Sequence, residues 1–102
     1  MRLRKMTAIV TGGASGIGES ICHALSREGA SIVVVDINLD GAKAVATDVI
    51  KEGGEAIHTK TDVQSIEDLN AMADIAMDTF GKVNILVNNA GARVIKGFLE
   101  HT

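Results

Sequence analysis

Apolar positions along this chain switch between two rhythms. Residues 7–11, Thr-Ala-Ile-Val-Thr, form a short apolar run closed by glycines, which predicts a buried strand. From residue 16 to about 28, Ile17, Ile21 and Leu25 recur every four residues, which predicts a helix with one apolar face, stopped at Gly29. Residues 31–36, Ser-Ile-Val-Val-Val-Asp, read as a second strand, and the unbroken β-branched run suggests burial on both faces. Leu39, Ala42, Val45, Ala46, Val49 and Ile50 mark a second helix ended by Gly53 and Gly54. A short third strand is expected over 55–59. Ser65 and Asp68 are spaced as a capping box. The helix behind them presents Ile66, Leu69, Ala73, Ala76, Met77 and Phe80, and Gly81 closes it. Residues 83–87 complete the pattern as a fourth strand, and 92–102 show no period.

The order is therefore β-α-β-α-β-α-β. Strands separated by helices need crossover connections, which are right-handed and build a parallel sheet. The expected class is α/β with strand order 3-2-1-4, the first half of a doubly wound sheet. No repeat, linker or low-complexity tract interrupts it, so residues 1–102 read as one unit.

Three segments fall where such a sheet binds ligands, beyond the carboxyl ends of its strands and near the point where the winding reverses. The first is Thr11-Gly12-Gly13-Ala14-Ser15-Gly16-Ile17-Gly18, between the first strand and the first helix. A tight turn favours a residue without Cβ at Gly12. Gly16 lets backbone approach a pyrophosphate, and Gly18 lets the helix pack on the strand. The helix N-terminus then offers N–H groups and partial positive charge to an anion. A glycine cluster by itself also makes a plain turn; the strand-turn-helix setting favours the phosphate reading.

Asp36, 18 residues after Gly18, ends the second strand. A carboxylate there accepts from both hydroxyls of an adenosine ribose and repels a 2′-phosphate, so NAD is expected over NADP. The alternative is that Asp36 merely ends a strand. The third segment is Asn88-Asn89-Ala90-Gly91, after the fourth strand, itself a plausible turn. A strand order of 3-2-1-4 brings it beside the glycine loop. A Walker loop needs Gly-Lys-Ser/Thr, whereas Gly18 is followed by Glu19-Ser20, which disfavours ATP or GTP hydrolysis. The Asn-Asn segment argues against an S-adenosylmethionine site.

Composition narrows this further. Apolar residues are 46%, charged residues 23% and the net charge −3, a globular balance without the basic patch of a nucleic-acid binder. The longest apolar stretches fall far short of the roughly 20 residues of a membrane span. Arg2, Arg4 and Lys5 read as a solvated terminus, with no apolar segment behind them to make a signal peptide. The single cysteine, Cys22, cannot form an internal disulfide, which suits a reducing, cytoplasmic setting. His23, His58 and His101 lie far apart without metal-ligand spacing, so no metal is expected.

Together these segments resemble the short-chain dehydrogenase/reductase family: the T-G-x-x-x-G-x-G loop at 11–18, the N-N-A-G segment at 88–91, and Asp62-Val63 after the third strand. The resemblance covers essentially the whole chain. It implies a Rossmann-type fold and a nicotinamide cofactor that exchanges hydride with an alcohol or carbonyl carbon. It implies that Gly12, Ser15, Gly16, Ile17 and Gly18 line the pyrophosphate and its ribose, and that Asp36 holds the adenosine ribose. Asp62 and Val63 would border the adenine, and Asn89, Ala90 and Gly91 would pass beneath the nicotinamide-side ribose. Asp62 also suits a place before the third helix. The resemblance further implies a catalytic Ser and a Tyr-x-x-x-Lys pair, and this sequence has no tyrosine. No catalytic residue is therefore expected within it. It reads as an N-terminal cofactor-binding part of an oxidoreductase, the alternatives being a non-enzymatic nucleotide-binding module or half of a split enzyme. The fourth strand would then carry an open edge, from which self-association, poor solubility or a missing partner segment is expected.

Overall fold

A computed structural model of the chain describes residues 2–89. It contains β1 (Thr7–Thr11), α1 (Gly16–Arg27), β2 (Ser31–Asp36), α2 (Leu39–Lys51), β3 (Ala56–Lys60), α3 (Ile66–Phe80) and β4 (Ile85–Val87). The four strands form one parallel sheet in the order β3-β2-β1-β4, the order expected for the first half of a doubly wound sheet. Among the described residues no helix is long and apolar enough to cross a membrane.

Successive side chains of a strand point to opposite faces, and both faces of this sheet are covered. Ala8, Val10, Ile32 and Val34 pack beneath α1 and α2 against Cys22, Ala42, Val45, Ala46 and Val49. Ile9, Val33 and Val35 point the other way, onto Leu69, Met72 and Ala76 of α3. The unbroken apolar runs of β1 and β2 are thus those of central strands. Burial in the first cluster, followed by the charge of nearby Glu19, pushes the Cys22 thiol up to about 12. Cys22 accordingly serves as a small apolar core residue.

The helical faces differ from the periodic reading at their ends. Ile17 is 70% exposed, and α1 turns Gly18 and Cys22 inward, with Ile21 and Leu25 at the margin. In α3, Ile66 and Met77 are exposed and Met72 is buried. Apolar spacing alone leaves a helix's rotation free by one residue; packing on the sheet chooses it. The capping box is also rearranged. Ser65 Oγ accepts from Asp68 N at 3.2 Å, but the Asp68 carboxylate accepts from Asp62 N at 3.0 Å, while Ser65 N donates to the Asp62 carbonyl.

β3 sits one residue later than expected, although the Glu55 carbonyl already accepts from Ile32 N. β4 is shorter than expected, because Asn84 continues the pairing by other means. Its side-chain Oδ1 accepts from Thr7 N, and its own N–H donates to the Thr7 carbonyl. At the N-terminus Arg2, Arg4 and Lys5 are exposed as expected. Leu3, however, packs against the first cluster and donates its N–H to the Glu28 carbonyl at 2.7 Å.

Candidate functional site

The glycine loop, Asp36 and Asn89 meet beyond the carboxyl ends of β1, β2 and β4. The loop begins with Gly12 at φ +65°, a left-handed conformation that glycine adopts without strain. Ser15 caps α1. Its Oγ accepts from Gly18 N at 3.1 Å and donates to the Gly12 carbonyl at 2.8 Å. This leaves the N–H groups of Gly16 and Ile17 without an acceptor among the described residues, at the positive end of the helix. No heavy atom lies within 4 Å of where a Gly16 Cβ would stand, so the bend is open on that side. Gly18 is its opposite: a methyl there would land on the Gly12 carbonyl oxygen.

Asp36 reaches back to the loop. Its Oδ2 accepts from Ala14 N at 3.0 Å, and its Oδ1 accepts from Asn38 N at 2.9 Å. Each carboxylate oxygen keeps a lone pair, so further donors can still be accepted. On the other flank Asn89 Nδ2 donates to Ser15 Oγ at 2.9 Å and to the Gly12 carbonyl at 3.2 Å. Asn89 N donates to Thr11 Oγ1, which in turn donates to the Val87 carbonyl. A cleft of about 150 Å³ beside the loop is lined by Gly12, Val35, Asp36, Ile37, Asp62 and Val63, among others. Asp62 is exposed, and its Oδ1 accepts from Gln64 N in a local turn ahead of α3. Ala90 and Gly91 lie outside the described residues.

Three residues at this end were not among the expected site residues. Thr11 is buried and bridges β1 to β4; a hydroxyl ending an apolar run was the available signal. Gly13 lies under the loop, where a Cβ would stand 2.7 Å from Val34 Cγ1 and 3.2 Å from the Val10 carbonyl. The doubled glycine hinted at it. Ala14 acts through its N–H, which no side-chain pattern reveals.

Comparison with known proteins agrees with this geometry. The family described as short chain dehydrogenase matches over residues 6–102. The chain belongs to the short-chain dehydrogenase family. Among relatives of this short-chain dehydrogenase chain, the 7alpha-hydroxysteroid dehydrogenase of Escherichia coli strain K12 is 44% identical over 98 residues, covering 96% of this chain and 38% of that protein. The 4-formylbenzenesulfonate dehydrogenase of Comamonas testosteroni is 52% identical over 91 residues, covering 89% and 36%. A solved 7alpha-hydroxysteroid dehydrogenase complexed with NADH and 7-oxo glycochenodeoxycholic acid superposes with a TM-score of 0.85 at 45% identity, covering 89% of this chain and 36% of that one. The short-chain dehydrogenase chain thus spans well under half the length of these relatives.

Proposed function

We propose that this chain is the NAD-binding part of an oxidoreductase that moves hydride between the nicotinamide and an alcohol or carbonyl carbon. One observation carries the proposal: the N–H groups of Gly16 and Ile17, unpaired among the described residues, and the carboxylate of Asp36 open onto the same end of the sheet, joined through the Ala14–Asp36 hydrogen bond. The residues fit a dinucleotide. The Gly16 side has room for a pyrophosphate, and the cleft between Asp36, Ile37, Asp62 and Val63 has room at its mouth for an adenine. In this reading Gly12, Ser15, Gly16, Ile17 and Gly18 form the pyrophosphate cradle and Asp36 accepts from the adenosine ribose. Asp62 and Val63 border the base, and Asn89, with Ala90 and Gly91, supports the nicotinamide-side ribose. The nicotinamide, when bound, supplies the hydride acceptor or donor. The catalytic Ser, Tyr and Lys are supplied from outside these 102 residues, which contain no tyrosine at all.

Calorimetric titration with NAD and NADP tests the reading. Hydrogen bonds to a charged group contribute roughly 1.5–3 kcal/mol each. Asp36→Ala should therefore weaken NAD binding at least about tenfold and narrow the preference over NADP. Equal NAD affinity in both proteins would remove Asp36 from the site.

The same reading extends to assembly. Ile85, Leu86 and Val87 are only half-buried, whereas the apolar residues of β1 and β2 are fully buried, and β4 pairs with β1 alone among the described residues. Strand edges of this kind recruit other strands. Light scattering of the chain should give a mass above that of the monomer; a stable, monodisperse monomer would count against association.

A further inference from the structure

α1 and α2 lie side by side on one face of the sheet, and four acid-base side chains gather along their seam. His23 is the centre. Its imidazole is largely covered, with 14% of the side chain exposed. Nδ1 lies 2.7 Å from Glu52 Oε1. Nε2 makes no hydrogen bond among the described residues and faces Glu19 Oε2 at 3.7 Å. Asp48 on α2, four residues before the capping Glu52, completes the group: one ligand atom each from Glu19, His23 and Asp48 lies within 4.8 Å of the others.

We propose that Glu19, His23 and Asp48 form a binding site for a divalent transition-metal ion of the Zn2+ type, clamping α1 to α2. An imidazole with two carboxylates suits Zn2+ better than Mg2+ or Ca2+, which take oxygen ligands. Zn2+ bonds nitrogen and oxygen ligands at about 2.0–2.2 Å, which in a tetrahedron sets the ligands about 3.4 Å apart. The Glu19–His23 pair is already close to that separation. Asp48 is exposed on α2, and its ligand atom, within 4.8 Å of the other two, stands at most about 1.4 Å beyond that separation. Three protein ligands leave a fourth place for water.

Glu52 holds the imidazole as carboxylates hold metal-bound histidines elsewhere: accepting from Nδ1–H fixes the tautomer with the Nε2 lone pair toward Glu19. The opposing occupant is a proton, which would turn His23 into an imidazolium shared between Glu19 and Glu52. Arg27 reaches Glu52 only at 4.0 Å and is 70% exposed, so it leaves that carboxylate free to act on His23. The site is separate from the dinucleotide reading and stands without it.

Titration of the full chain with Zn2+ alone, in a non-coordinating buffer near neutral pH and without dinucleotide, tests the assignment. One site per chain is expected. His23→Gln and Asp48→Asn should each weaken it at least tenfold, and His58→Gln should leave it unchanged. Glu52→Gln should weaken it about 10–100-fold, as loss of an orienting partner does. Co2+ in place of Zn2+ should give a visible absorption band that His23→Gln abolishes. Absence of stoichiometric binding, or undiminished binding by His23→Gln or Asp48→Asn, would overturn the site; an unchanged Glu52→Gln would overturn the orienting role. Should His23→Gln fail to fold, Asp48→Asn at its exposed position decides. Because NAD is absent throughout, failure here leaves the Asp36 test untouched.

Discussion

Gly18→Ala should lower the unfolding free energy by about 3 kcal/mol, the upper end of what overpacking a well-filled site costs. In an isolated helix the same change would gain about 1 kcal/mol, because alanine is the better helix former. Position decides the sign. The added methyl would overlap the Gly12 carbonyl oxygen and sit 2.9 Å from the Gly13 Cα. Both obstacles are backbone and cannot rotate away. The Gly12 carbonyl also accepts from Ser15 N, Ser15 Oγ and Asn89 Nδ2, so displacing it disturbs three ties of the loop at once. Urea unfolding followed by circular dichroism measures this. An unchanged or raised midpoint would show that the helix start is not held against the strand as described.

Gly16→Ala should do the reverse. Nothing lies within 4 Å of the added methyl, and the residue opens α1. Stability should rise by about 0.5 kcal/mol, mainly through reduced freedom of the unfolded chain. NAD affinity should nevertheless fall about 100-fold, or roughly 2.7 kcal/mol, because the methyl occupies the space through which a pyrophosphate would reach the Gly16 and Ile17 N–H groups. Calorimetry with NAD, set beside the urea midpoint of the same protein, separates binding from folding. If Gly16→Ala bound NAD as tightly as the unaltered chain, the open side of the bend would not be the pyrophosphate site. The two substitutions place the same methyl two residues apart: one tests how the loop is packed, the other what the loop holds.

Much of the fold was legible because β1 and β2 are central strands. Ile9, Val10, Ile32, Val33, Val34 and Val35 are fully buried, so nearly every position shows as apolar. The ends of α3 were equally plain, since Ser65 caps it and Gly81 closes it in the left-handed conformation, whereas the cap that Ser15 gives α1 showed only in the structure. Less legible was what the margins do. Ile17, Ile66 and Met77 carry the period of their helices but point to solvent, and Met72 carries the burial instead. Asn84 was read as part of a strand, yet only its N–H pairs as backbone, while its side-chain amide oxygen stands in for the carbonyl.

The candidate site divides in the same way. Sequence alone determined the α/β alternation, the parallel sheet, the family, and that glycines, an acid and an asparagine stand at the ends of the first, second and fourth strands. Those are consequences of local backbone preference and apolar period, which neighbouring residues carry. Only the tertiary structure decided that Asp36 bonds Ala14, that Asn89 holds Ser15, and that Gly16 is open while Gly18 is closed. It also brought Glu19 and His23 of one helix beside Asp48 and Glu52 of the next. Each of these joins residues 22 to 74 positions apart or turns on how closely the start of a helix approaches the loop before it, and such distances are set by how helices settle on a sheet, which no period along the chain encodes.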